Sequence, residues 1–265
     1  MKKTGLFLSL SILLYCACST TTEQTGIPGA RIESMPANVT CTTTWIDSTG
    51  FVWIGTEDSG LYHFDGTNYL HYTASGEDGS LSSSRINRVF CDSHNNLWVG
   101  TDQGVDRYIP EEKSFRKIPI RGELKNVTSV TGDYTGTVLA TTENSIYRYD
   151  EKSDSFKAVI ENEDGSKVMK VYFGQNEELF LVGFFKIDRY DSDYNLIESY
   201  PAHFASVEAW KATSDLILLK SFPHIMTFDM KDCTFKPLSG ALASMDNPDK
   251  LTFVSPLENN SMAFA

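Results

Sequence analysis

The chain is built from short apolar runs separated by polar turns, and one arrangement of them recurs. Residues Asp47 to Asp65 read DSTGFVWIGTEDSGLYHFD: a turn, an apolar run, a second turn and an alternating run. The same order returns at Asp92 to Tyr108, DSHNNLWVGTDQGVDRY, and fainter copies follow. Aligning the copies on the aromatic that ends their third segment gives Phe64, Tyr108, Tyr149, Tyr190 and Phe228. These lie roughly 38 to 44 residues apart, a period that marks a repeat architecture. Three residues before each stands an aliphatic: Leu61, Val105, Ile146, Ile187 and Ile225.

Each copy has room for four short strands. The first carries apolar residues about three apart, as in Ile86, Val89 and Phe90, in Val127 and Val130, and in Val168 and Val171. The second is almost continuously apolar, centred on Trp53, Trp98, Leu139, Phe180 and Ile217, as a strand covered on both faces must be. The third alternates, as in Leu61-Tyr-His-Phe64. The fourth again places apolar residues about three apart: Tyr69 and Tyr72, Phe115 and Ile118, Phe156 and Val159, Ile197 and Tyr200, Phe235 and Leu238.

The turns between strands one and two start at Asp47, Asp92 and Asp133 and end at Gly50, Asn95 and Gly136. Aspartate closes such a turn through its own carboxylate, and Gly or Asn accepts a positive φ. Asp65-Gly66 signals a hairpin after strand three. No amphipathic helical pattern competes in the mature chain. Four strands in about 40 residues, repeated in tandem, predict an all-β fold, a β-propeller of four-stranded blades. The blades are placed at about 39–72, 84–118, 126–159, 167–200 and 206–238, with a partial copy at 251–265. The second-strand residues are expected to pack between neighbouring blades, and Trp45 and Trp210 to lie near the central channel.

Both ends of the repeat region carry expectations. Ala30 to Glu33 reads as a lone outer strand that closes the ring against the last blade. Leu251 to Val254 opens a sixth copy, and Asn259 to Ala265 matches its turn and second strand. Half a blade leaves apolar faces and a strand edge open. The expectation is therefore a fragment of a longer polypeptide with about five and a half blades of a larger propeller present, the alternative being closure of five and a half blades by an unusual arrangement.

Residues 1–18 read as an export signal: Lys2 and Lys3, an apolar stretch from Gly5 to Tyr15, then Cys16-Ala17-Cys18. The stretch is short for a membrane span. Ala17-Cys18 resembles the end of a lipobox, with Tyr15 a poor fit to it, so Cys18 is a candidate lipidation site against ordinary cleavage nearby. Residues 19–29 read as a flexible tether. Cys41, Cys91 and Cys233 are odd in number and irregular in spacing, which argues against a disulfide framework; Cys41 and Cys91 are expected as buried thiols.

Composition adds bounds. The chain has 265 residues, 41% of them hydrophobic, and a net charge of −12. No basic stripe suggests nucleic acid. No GxSxG, HExxH, CxxC or P-loop pattern occurs. Asp191 to Asn195 begins like a calcium loop but has Leu196 where glycine is needed, and reads as a hairpin turn. The histidines, His63, His71, His94, His203 and His224, are scattered and read as blade-surface residues. No catalytic residue, metal ligand or cofactor site is assigned.

The copies IDSTGFVWIGTEDSGLYHFDG and CDSHNNLWVGTDQGVDRY, with the introducing segment Ser80 to Ile86, resemble the two-component regulator propeller repeat. The resemblance covers about residues 30–265. It is strong in two blades and decays where Trp gives way to Leu139, Phe180 and Ile217. It implies the periplasmic sensor of a Bacteroidetes hybrid two-component histidine kinase, with two seven-bladed propellers, a β-sandwich, a membrane helix and kinase parts in the intact protein. It also implies an oligosaccharide ligand, a homodimer and attachment at the periplasmic side of the inner membrane. The alternatives are an outer-membrane lipoprotein used as a binding scaffold, and a propeller-type polysaccharide lyase or hydrolase. Trp45, Arg85, Arg88 and Trp210, on or near first strands facing the channel, are the candidate ligand contacts.

Overall fold

The structure is a computed structural model that describes residues 23–121, 126–133, 135–162, 167–202, 208–221, 224–237, 254–256 and 262–264. The leader with Cys18, and the tether before residue 23, lie outside the described residues, as does His203.

The described chain is all-β, apart from a single 3-10 turn at Gln175–Glu177. Strands β1 (Glu23–Gln24) and β2 (Ala30–Ile32) precede a first blade of β3 (Cys41–Ile46), β4 (Val52–Thr56), β5 (Leu61–Phe64) and β6 (Tyr69–Tyr72). The second blade is β7 (Ile86–Cys91), β8 (Leu97–Thr101), β9 (Gly104–Ile109) and β10 (Ser114–Ile118). The third is β11 (Ser129–Gly132), β12 (Val138–Thr141), β13 (Ser145–Asp150) and β14 (Ser155–Glu161). The fourth is β15 (Lys170–Phe173), β16 (Leu179–Val182), β17 (Lys186–Tyr190) and β18 (Leu196–Pro201). The fifth is β19 (Glu208–Lys211), β20 (Leu216–Ser221), β21 (His224–Asp229) and β22 (Thr234–Pro237). Each blade is an antiparallel meander with its strands in chain order. The first strands β3, β7, β11 and β15 lie beside one another in succession, so they form the inner edge of the blades. Beyond them β23 (Val254–Pro256) pairs with β24 (Met262–Phe264), and β23 lies beside β19. These are parts of the sixth copy; residues 251–253, 257–261 and 265 lie outside the described residues.

The aromatics that fix the repeat period are the sockets of the fold. Trp53 of the first blade meets Tyr108 of the second, ring centroids 4.9 Å apart. Trp98 meets Tyr149 of the third blade at 4.7 Å. Leu139 shares a core cluster with Tyr190 of the fourth, and Phe180 meets Phe228 of the fifth at 6.0 Å. Each of these four second-strand residues thus packs against the third-strand aromatic of the next blade, and all four, with Ile217 of the fifth blade, are buried. Glycine two residues after the first plug lets the blades approach: a Cβ at Gly55 would lie 2.6 Å from methyls of both Ile86 and Thr43.

The spacing of three in the first strands has a structural cause. Register shifts occur between Cys41 and Thr43 in β3, and between Ile86 and Arg88 in β7. A bulge adds a residue to one strand, so Ile86 and Val89 can both be buried although three apart.

The turn aspartates act as expected. Asp47 Oδ1 accepts the amides of Thr49 at 2.9 Å and Phe51 at 3.1 Å. Asp92 Oδ1 accepts those of His94 and Asn96, both at 2.9 Å. Asp133 Oδ1 accepts those of Thr135 and Thr137, both at 2.9 Å. Gly50, Asn95 and Gly136 have φ of 87°, 63° and 99°. The second carboxylate oxygen does something the sequence did not announce. Trp53 Nε1 donates to Asp47 Oδ2, and Trp98 Nε1 to Asp92 Oδ2, each at 2.9 Å. Burial works against the Asp47 anion, yet hydrogen bonds from Thr49, Trp53 and Phe51 hold its carboxyl below the usual range.

Several expectations need correction. Ala30–Ile32 does not close the ring against a last blade; it pairs antiparallel with β6 and extends the first sheet, with β1 outside it. The free edge of β6 is the nearest set of unpaired backbone groups, and β2 satisfies them. Cys41 is exposed rather than buried, at the first residue of β3 beside the bulge; Cys91 is half-buried and Cys233 intermediate, and all three are free thiols. Ile197 is 48% exposed on β18 instead of packing inward. His71 is no surface residue: it is buried, stacked on Tyr62 at 4.0 Å and hydrogen-bonded to Glu33 and the Ser59 carbonyl.

Two stability predictions follow from this packing. Asp92→Ala should destabilise the chain more than Asp133→Ala, because only the former strands a buried indole N–H, a loss of about 1–3 kcal/mol; paired urea melts measure the difference, and equal costs would refute the indole's role. Gly55→Ala should cost about 1–3 kcal/mol by overpacking, read as a lowered urea midpoint at unchanged slope.

Candidate functional site

The candidate contacts fall in different places. Arg85 sits just before β7, exposed, with Nη2 at 3.2 Å from Glu57 Oε1. Trp45 lies at the far end of β3, half-buried, edge-on to Phe90 at 5.4 Å. Trp210 packs against the cluster of Ala212, Leu218 and Ile225. Arg88, on β7, is solvent-exposed. The structure brings none of these four together. It brings Arg88 instead to two residues that the sequence reading left out, Lys170 and Tyr172 of β15.

Arg88 opposes Gly100, Ser129 opposes Thr141 and Lys170 opposes Val182 in their sheets. These are the same register in three successive blades, two residues past the second-strand core positions Trp98, Leu139 and Phe180. At that register the first blade has Thr43, opposite Gly55, and the fifth has Ala209, opposite Leu219. Three small residues and two cations therefore occupy one level of the inner strands. The small Ser129 between the cations leaves space between two blades that are not neighbours. One signal in the sequence could have found the pair: Ile86-Asn-Arg88-Val89, Val127-Thr-Ser129-Val130 and Val168-Met-Lys170-Val171 align without a gap.

Arg88 and Lys170 keep contact with water yet are crowded by protein. Desolvation pulls the Lys170 ammonium below its usual range, the Arg88 charge pulls it further, and Glu208 opposes them. Desolvation likewise lowers Arg88, against an opposing contribution from Tyr172. Burial raises the Tyr172 hydroxyl, which stays protonated and able to donate. Among the described residues neither Arg88 nor Lys170 forms an ion pair. The nearby Glu208 is 3.4 Å from Lys220. Two buried hydroxyls at the same level, Thr43 Oγ1 and Thr141 Oγ1, have no hydrogen-bond partner among the described residues.

A second concavity, about 860 Å³, opens between the second and third blades and is lined by Asp92, Trp98, Arg107, Tyr149, Asp150 and Lys157 among others. Two of its cations, Arg107 and Lys157, are engaged. Arg107 binds the Tyr149 hydroxyl at 3.1 Å and lies 5.6 Å from the Trp98 ring. Lys157 pairs with Asp150 and, by that hydrogen bond first, holds the Asp150 carboxyl down at about 2. Trp98 is itself buried, so it offers no stacking face there. Among the described residues no group of three or more His, Cys, Asp or Glu could hold a metal ion. None of their helices is long and apolar enough to cross a membrane, which leaves membrane-spanning strands untouched.

Repeated four-stranded antiparallel blades, joined by side chains of one seated on aromatics of the next, define a β-propeller. More narrowly, the chain is a propeller protein that carries the two-component regulator repeat: residues 80–103 match the two-component regulator propeller family. A curated relative, histidine kinase P4 of Formosa agariphila, is 32% identical over 138 residues, covering 48% of this chain and 10% of the relative. The chain thus spans about a tenth of the length of the curated relative it matches. Virginiamycin B lyase from Staphylococcus aureus has a similar fold, TM-score 0.70, at 11% identity over 89% of this chain and 81% of the lyase. The extracellular domain of a protein described as a hybrid two-component system of B. thetaiotaomicron aligns at TM-score 0.52 and 17% identity, over 88% of this chain and 40% of that one. At such identities the structural likeness speaks for the fold alone.

The charge pair makes a prediction about stability. Lys170 has a folded pKa below its ordinary value, so its charged form is disfavoured by folding. The penalty is present at neutral pH and fades as pH rises through the folded value toward the unfolded one. Lys170→Gln should therefore raise the melting temperature at pH 7, with the gain shrinking at alkaline pH. A lowered melting temperature at pH 7 would mean that Lys170 has a structural role.

Proposed function

We propose that this chain is an exported ligand-sensing propeller, the sensor portion of a hybrid two-component histidine kinase, and that it acts by binding an oligosaccharide rather than by turnover. The observation that carries the reading is the regulator repeat of the second blade, residues 80–103, within a chain whose curated relative is named a histidine kinase. The unpaired cations on the inner strands add to it, since polar groups held against solvation and repulsion mark sites prepared for a ligand. Ligand held among the inner strands would bias the arrangement of a homodimeric sensor, which requires different affinities for two arrangements. The reading places the chain on the periplasmic side of the inner membrane.

A surface lipoprotein scaffold is the second reading, favoured by Ala17-Cys18. A membrane helix and kinase motifs in the same polypeptide would support the sensor; a stop codon shortly after a seventh blade would support the scaffold. A lyase or hydrolase would turn over polysaccharide with the propeller alone.

The test is thermal unfolding of the chain against a panel of oligosaccharides. A ligand at one hundred times its Kd should stabilise the fold by about 2.7 kcal/mol, a shift of several degrees. No shift with any member of a broad panel would count against glycan sensing.

A further inference from the structure

The cations of the inner strands say something about the ligand's chemistry. The protein carries a net charge of −12, so counter-charges for Arg88 and Lys170 are abundant in the chain. None is placed on them: among the described residues neither forms an ion pair, and Glu208, the carboxylate whose charge reaches Lys170, lies at ion-pair distance from Lys220. The pair occupies one register of blades two and four, with only Ser129 at that level between them. Both remain open to water, so a solute can reach them. Tyr172, two residues after Lys170 and within the reach of the Arg88 charge, supplies a protonated hydroxyl. A planar guanidinium with an ammonium and a phenol is a donor set suited to an oxyanion: the fork grips two oxygens and the others reach the remaining lone pairs.

We infer that the inner strands bind an anionic group of the ligand, a carboxylate or a sulfate, between Arg88 and Lys170 with Tyr172 as a third donor. The inference rests on the ligand-sensing reading for the rest of the ligand, but the anion site stands apart from it and is tested apart from it. It narrows the substrate class from oligosaccharides at large to acidic ones, bearing uronate or O-sulfate groups.

Titration calorimetry on the full chain decides the matter. The probes are a uronate-containing oligosaccharide, an O-sulfated oligosaccharide, the neutral counterpart of each, and inorganic sulfate. The proteins are the wild type, Arg88→Gln/Lys170→Gln, and Lys167→Gln as a control whose lysine is paired at the surface with Glu143. The expected result is at least about tenfold tighter binding of an acidic probe than of its neutral counterpart, a preference lost in the double variant and kept in the control. The better of the uronate and sulfate arms identifies the anion. Equal affinity for acidic and neutral probes would overturn the anion site and leave glycan sensing in place. Full retention of acidic binding in the double variant would overturn it as well. Binding of inorganic sulfate that needs Arg88 and Lys170, with no oligosaccharide bound, would support the anion site and overturn the sugar reading. Failure of the wild type to bind any charged probe would overturn the inference outright.

Discussion

The contact on which the rest of this structure depends is the seating of a second-strand side chain against the third-strand aromatic of the next blade. A four-stranded meander cannot bury both of its faces by itself, so each blade is completed only by its neighbour. Trp53 on Tyr108, Trp98 on Tyr149, Leu139 beside Tyr190 and Phe180 on Phe228 are four instances of one joint. The period of the sequence follows from that joint. Plug and socket must recur at fixed positions in every blade, whereas turns and outer strands may vary in length. The outer strand of the fourth blade shows the contrast, with Leu196 and Ile197 left largely in solvent.

The joint also explains how the copies diverge. In the first two blades the plug is an indole, and an indole carries a buried N–H that needs an acceptor. The turn aspartate provides it with its second oxygen, while the first closes the turn. The two residues therefore form one unit six positions apart. Where the plug becomes Leu139, Asp133 remains but serves the turn alone. Where it becomes Phe180 or Ile217, the aspartate position holds Gly174 or Lys211. Lys211 then turns its ammonium to the Phe173 carbonyl at 2.7 Å and links the fifth blade to the fourth by a different route. Loss of the indole removes one demand on the acid, and the turn can then be remade.

Much of this could be read from residues because the signals were local. Asp followed by Gly or Asn fixes a turn, and a continuously apolar run fixes a doubly covered strand. The spacing of three in the first strands was visible as a pattern, but its cause, a bulge, belongs to pairing with another strand. The same holds for β2. Nothing in Ala-Arg-Ile states which edge it will satisfy, and the nearest free edge was that of its own sheet. Cys41 failed for the same reason, since the bulge beside it removes the alternation that assigns faces. Of the candidate site, Arg88 was legible as a cation on an inner strand. Its partners were not, because Lys170 and Tyr172 lie about 80 residues away and in a blade whose repeat is faint.

That failure is informative about where function can sit in such a molecule. The plugs and sockets are tied to one another across blades, so a change in one demands a change in its partner. At the inner-strand level, Arg88 and Lys170 are exposed and belong to no plug and socket, whereas Thr43 and Ala209 are small and buried. The residues there oppose Gly55, Gly100, Thr141, Val182 and Leu219 in turn, so the level changes from blade to blade. Symmetry of the fold thus supplies five equivalent positions, and departure from that symmetry supplies a site. Arg88 and Lys170 are the largest departures at this level, and both lack the compensation that a purely structural charge would have found in so acidic a chain. A repeat protein hides its working residues from a search for motifs, since they are the positions at which the motif is free to differ.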